Sequence, residues 1–183
     1  MKFIYSISLF LLTFLIAGNT KAQVLTGIAT QWNDSFREWE IYSDDEDING
    51  DLTLRWRTGD DWTEWQYQFG DHYGTIKQKW NNDPSQWEVR GDNQLVTMRA
   101  IWKGDSRHWR ISGPDSQFDF ECNYGNTWDE WKLKNGEDYF IIYTYWTGDP
   151  REWIIEEDLE DSYSFTEKMA MVFLAIYNSS PRE

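Results

Sequence analysis

Two aromatic residues seven apart around a Gly-Asp turn, Trp102 and Trp109 in the stretch VTMRAIWKGDSRHWRI (96–111), set a frame that the chain repeats six times. The frame recurs as Trp32/Trp39, Trp80/Trp87 and Trp146/Trp153, as Tyr124/Trp131, and as Trp56/Trp65 with two extra residues in the turn. The lead positions 32, 56, 80, 102, 124 and 146 give a period of 24, then 22. A repeat of this length marks one supersecondary unit that cannot bury its apolar face alone and must stack on its neighbours. Of 13 Trp, eleven fall in the paired slots, so the repeat accounts for most of the tryptophan.

A hairpin with Gly104-Asp105 at its tip pairs Trp102 with Arg107 and Ala100 with Trp109. Side chains alternate along a strand, so Val96, Met98, Ala100, Trp102, Trp109 and Ile111 share one apolar face, and both tryptophans are predicted to be core. The other face carries Thr97, Arg99, Ile101, His108, Arg110 and Ser112. The same register places Arg55 opposite Glu64, Lys77 opposite Glu88, Glu121 opposite Lys132 and Asp119 opposite Lys134. Each such pair contributes about 0.2–1 kcal/mol, and their agreement supports the pairing. The fourth copy departs from it, setting Arg99 against Arg110.

Six hairpins joined by turns near 70–74, 90–93, 112–115 and 135–138 predict an all-β fold. The expected form is an antiparallel meander of about twelve strands, a closed or curled barrel with a Trp-rich core. The hairpin period is similar to that of MORN repeats, but their regular glycines are missing, and no function is carried over from them.

Residues 1–22 read as a secretory signal peptide: Lys2, an apolar run from Phe3 to Ala17, and Thr20-Lys21-Ala22 before Gln23. The repeat domain then spans 23–160, and 161–183 form a C-terminal apolar segment. Read as a helix capped near Ser164 or Thr166, that segment aligns Met169, Val172, Phe173, Ile176 and Tyr177, and is expected to pack on the sixth hairpin. Read as a strand, it would complete the sheet. The sixth hairpin invites cover because its second face also carries Tyr139, Ile141, Tyr143, Tyr145 and Ile154.

A formal charge of −15 repels nucleic acid and anionic lipid headgroups. Asp45, Asp47, Asn49 and Gly50 resemble the opening of an EF-hand loop, which makes Asp45, Asp47, Asn49 and Asp51 the candidate ligands of a calcium ion. The slot for the closing Glu is Trp56, so this site needs a ligand from elsewhere; the alternative is a solvated acidic turn. Trp62 and Trp128 lie outside the paired slots, as exposed platforms for a sugar ring or as caps over the core. Cys122 falls on the apolar face as a buried free thiol.

No zinc spacing, Gly-rich phosphate loop or nucleophile elbow is present, so no enzyme chemistry is indicated. The expected function is non-catalytic: a secreted or periplasmic repeat protein with a binding or structural role, its partner a glycan or cell-envelope component. After signal cleavage no stable membrane span is expected. The alternatives are a small outer-membrane β-barrel, with the apolar face turned to lipid, and a hydrolase.

Overall fold

A computed structural model describes residues 24–56, 59–134, 136–160 and 162–182; the signal peptide assigned to 1–22 lies outside the described residues. Twelve strands form a single closed antiparallel barrel in which each strand pairs with its sequence neighbours. The first hairpin is β1 (Leu25–Trp32) and β2 (Ser35–Ser43), and the second β3 (Gly50–Leu54) and β4 (Glu64–Phe69). The third is β5 (His72–Trp80) and β6 (Asp83–Gly91), and the fourth β7 (Gln94–Trp102) and β8 (Asp105–Ser112). The fifth is β9 (Gln117–Cys122) and β10 (Glu130–Lys134), and the sixth β11 (Tyr139–Trp146) and β12 (Asp149–Asp158). The seam closes where β12 pairs with β1, Trp153 standing opposite Ile28.

The register read from the sequence holds through the body of each hairpin. Ala100 pairs with Trp109 and Met98 with Ile111, and Lys77 faces Glu88 and Glu121 faces Lys132. It fails at the tips. Trp102 stands opposite Asp105, not Arg107, because a bulge sets Ile101 against Ser106, Arg107 and His108. Equivalent shifts precede Trp32, Trp80 and Trp146. A two-residue turn imposes this geometry: Gly104 has φ +81°, a conformation suited to tight hairpins. A side chain at the tip holds the bulge, as when the Arg107 amide donates to Asp105 Oδ1 at 2.9 Å, the Arg151 amide to Asp149 Oδ1 at 3.1 Å and the Arg37 amide to Ser35 Oγ at 3.3 Å. In the second hairpin Asp61 makes the equivalent turn contact, with the Thr63 amide 2.9 Å from its Oδ1.

The bulge separates the two aromatic slots. Trp109 is fully buried whereas Trp102 is 61% exposed, which corrects the expectation that both are core. The second-slot rings Trp39, Trp65, Trp87, Trp109, Trp131 and Trp153 form one buried belt inside the barrel. A buried indole N–H needs an acceptor. Each finds the carbonyl three residues earlier, Phe36, Trp62, Pro84, Ser106, Trp128 and Pro150 in turn, at 2.7–3.2 Å. In the four hairpins with the bulge, the segment that expels the first aromatic thus also supplies the acceptor for the second.

The C-terminal segment is a helix, α1 (Phe165–Ser179), and it runs through the barrel interior rather than over the sixth hairpin. Every residue from Phe165 to Tyr177 is buried. Phe173 meets Trp65 and Trp87, Tyr177 meets Trp87, and Phe165 stacks on Phe69. The apolar surface is not confined to the stripe of Met169, Val172 and Phe173, because Ala170, Met171, Leu174 and Ala175 make the opposite side equally apolar and are buried too. A helix apolar all round belongs in a core. The second face of the sixth hairpin consequently stays on the outer wall, with Tyr145 53% exposed.

Polar groups on the helix are paired. Ser164 caps the N-terminus in a capping box with Glu167, whose carboxylate also accepts from Ser116. Lys168 Nζ lies 2.9 Å from Glu157 on β12, and Glu157 also accepts the Leu25 amide at 2.7 Å. Tyr67 fits only because Gly74 and Gly91 lack side chains, since a Cβ at either would overlap its ring or hydroxyl. Burial pushes the Tyr67 hydroxyl up to a pKa of about 12.

Candidate binding rim

In a closed meander all six hairpin tips lie at the same end of the barrel, and each tip carries its lead aromatic outside. Trp32, Trp56, Trp80, Trp102 and Trp146 are 52–63% exposed and Tyr124 46%. Their rings lean on the outer wall near the rim. Trp32 Nε1 donates to Glu38 at 2.8 Å, and six residues along in the fifth hairpin the Tyr124 hydroxyl donates to Glu130 at 3.3 Å. Arg55 lies over the Trp56 ring at 5.3 Å and Lys79 over Trp80 at 5.9 Å.

Inside this rim, a second layer closes the barrel mouth. Its slot is the residue three before each core tryptophan, held by Phe36, Trp62, Pro84, Ser106, Trp128 and Pro150. Trp62 and Trp128, the sequence candidates for a sugar platform, are half-buried here and pack against the core. Trp62 tilts against Trp65 at 5.9 Å under Arg37, and Trp128 stacks on Trp131 at 6.0 Å under Arg107, whose guanidinium is 3.8 Å from the ring centroid. The lead tryptophans are more exposed than either. Where the slot holds Pro84 and Ser106, no large ring fills the mouth. A cleft of about 770 Å³ opens there, bounded by Trp102, Arg99, Lys103 and the end of α1 at Tyr177 and Asn178.

The acidic loop is organised by its own turn. Ser43 Oγ donates to the Ile48 carbonyl at 2.9 Å, and the Asp47 amide to Asp45 Oδ1 at 3.1 Å. Asp51 stands in β3 opposite Glu40 and Gln68. Asn49 immediately precedes that strand. Among the described residues no three or more His, Cys, Asp or Glu side chains gather to hold a metal ion. Cys122 is a buried free thiol whose pKa burial raises, and its Sγ lies 3.3 Å from the Thr127 carbonyl. The two histidines sit apart, His72 on Asp92 at 2.8 Å and His108 between Asp105 and Glu121.

Sequence reasoning missed the exposed rim because strict alternation put both aromatics on one face. The signal was present in the residue two after the lead aromatic, Asn82, Gly104 or Gly148, each at positive φ, which marks a two-residue turn. Compared with protein-family models, with curated proteins and with solved structures, the chain matches none.

Proposed function

We propose that the protein is a non-catalytic binding module of the secreted or periplasmic space, and that its hairpin-tip rim takes up a glycan. The observation that carries this reading is the set of six aromatic rings exposed at one end of a barrel whose core is already filled. Exposed aromatic area of this kind marks interaction sites. Flat, apolar faces edged by hydrogen-bonding carboxylates such as Glu38 and Glu130 suit the apolar faces and hydroxyls of sugars. The apolar leader at 1–22 supports the compartment. In this reading Trp62 and Trp128 cap the mouth, and the lead aromatics carry the ligand.

The outer wall favours this reading over a lipid-embedded barrel, which needs an apolar band facing outward. Here Ile76, Val89, Ile111 and Phe120 face inward and are buried, while Lys77, Glu88, Arg110 and Asp119 occupy the alternate positions.

The chain from Gln23, passed over immobilised neutral and acidic polysaccharides, is expected to be retained by at least one class. The double variant Trp80→Ala/Trp102→Ala should lose at least tenfold in affinity with its melting temperature nearly unchanged, since both rings are exposed. Retention by none, or undiminished affinity in the double variant, would overturn the reading.

A further inference from the structure

The cleft beside the fourth hairpin tip breaks the repeat in two ways at once. Its capping slots hold Pro84 and Ser106, which leave the mouth open. Its strands carry the like-charged pair Arg99 and Arg110, where the corresponding positions of the third and fifth hairpins hold Lys77 with Glu88 and Glu121 with Lys132. Arg110 is satisfied by Asp119, through two hydrogen bonds of 2.8 and 3.1 Å. Arg99 has Gln86 on its other flank and gains no counter-charge there.

Among the cationic side chains described, every other Lys and Arg has an ion-pair, hydrogen-bond or aromatic partner, and Arg99 and Lys103 have none. Both line this cleft, next to the 61%-exposed ring of Trp102. In a chain of formal charge −15, two unpaired cations in one cleft are the opposite of what composition would place there.

We infer that this cleft recognises a sugar bearing one carboxylate, a uronic-acid residue, with the ring on Trp102 and the carboxylate on Arg99 and Lys103. A planar guanidinium matches a carboxylate through two parallel hydrogen bonds, which gives both strength and direction. The Asn178 amide and Gln86 stand within the same walls to meet hydroxyls. The carboxylates of Asp83 and Asp105 also border the cleft, each committed to its turn: Asp83 Oδ1 accepts from the Ser85 amide at 3.0 Å and Asp105 Oδ1 from the Arg107 amide. With Arg182, stacked on Tyr177 at 4.0 Å, they leave the cleft one net positive charge. That suits a single carboxylate. A long polyanion would meet the negative field of the remaining surface.

This inference rests on the glycan reading of the rim and adds the sugar class. The chain from Gln23 would be titrated calorimetrically with one oligosaccharide in two forms, ending in glucuronate or in glucose. The glucuronate form should bind about tenfold tighter, with a preference that shrinks as salt is added. Arg99→Gln should abolish the preference while keeping the affinity for the glucose form. Its melting temperature should be unchanged or slightly raised, because Arg110 loses a like-charged neighbour. Trp102→Ala should weaken both forms. Equal affinity for the two forms in the unaltered chain, or a preference that survives Arg99→Gln, would overturn the acidic subsite and leave the rim reading standing. Absence of binding by either form would remove both.

Discussion

A chain ending after Leu159, without the helix, is expected to show no cooperative unfolding transition. Helix α1 brings Phe165, Met169, Met171, Val172, Phe173, Leu174, Ile176 and Tyr177 into the barrel, all buried. Burying a large apolar side chain contributes about 1.5–3 kcal/mol. Eight of them come to about 12–24 kcal/mol, as large as or larger than the roughly 5–15 kcal/mol by which a domain of this size is stable. The loss is larger than this comparison, because Trp65, Trp87 and Phe69, whose rings meet α1, would then line a water-filled lumen. The truncated chain would also strand Glu157, whose carboxylate pairs with Lys168 inside the barrel. Near-ultraviolet circular dichroism should show the aromatic signal collapsed, and a peptide covering 162–182 should restore it at stoichiometric concentration. A truncated chain that melts sharply without the peptide would mean that the barrel stands without its core helix.

Trp109→Ala is expected to destabilise the fold by about 3–5 kcal/mol, whereas Trp102→Ala should cost less than about 0.5 kcal/mol. The two residues are seven apart in one hairpin and differ only in where the bulge turns them. Trp109 is fully buried and its indole N–H reaches the Ser106 carbonyl at 2.7 Å, so removing it leaves both a cavity and an orphaned acceptor. Trp102 is 61% exposed and has no polar partner. Urea unfolding of the two variants measures the difference directly. Equal losses would place both rings in the core, as strict alternation of side chains predicts.

Much of this architecture is legible in the sequence because it repeats. The strand count, the antiparallel meander, the pairing of Ala100 with Trp109 and the buried Cys122 all follow from period and alternation alone. The tips were not legible in that way, since a bulge of two residues shifts Trp102 from Arg107 to Asp105, and alternation carries no information about bulges. The chain's own clue was local, a glycine or asparagine two residues after the lead aromatic.

The helix was half legible. A cap near Ser164 or Thr166 marked its start, but the stripe of Met169, Val172 and Phe173 suggested a helix lying on a sheet. What decided its place was the width of a closed twelve-strand lumen, which six tryptophans at one level cannot fill, and which takes a helix apolar on every side. The cleft at the fourth hairpin tip was legible only as a flaw in the repeat. Arg99 opposite Arg110 breaks the charge pairing of the neighbouring hairpins, and it is at that point that the barrel holds two unpaired cations beside an open mouth.

The measurement closest to the central claim, that each hairpin turns one aromatic into the core and the other onto the rim, is limited oxidation of tryptophan by N-bromosuccinimide with peptide mapping. The account predicts that Trp32, Trp56, Trp80, Trp102 and Trp146 oxidise first, while Trp39, Trp65, Trp87, Trp109, Trp131 and Trp153 resist until the fold is denatured. Oxidation of Trp102 and Trp109 at the same rate in the folded chain would contradict it.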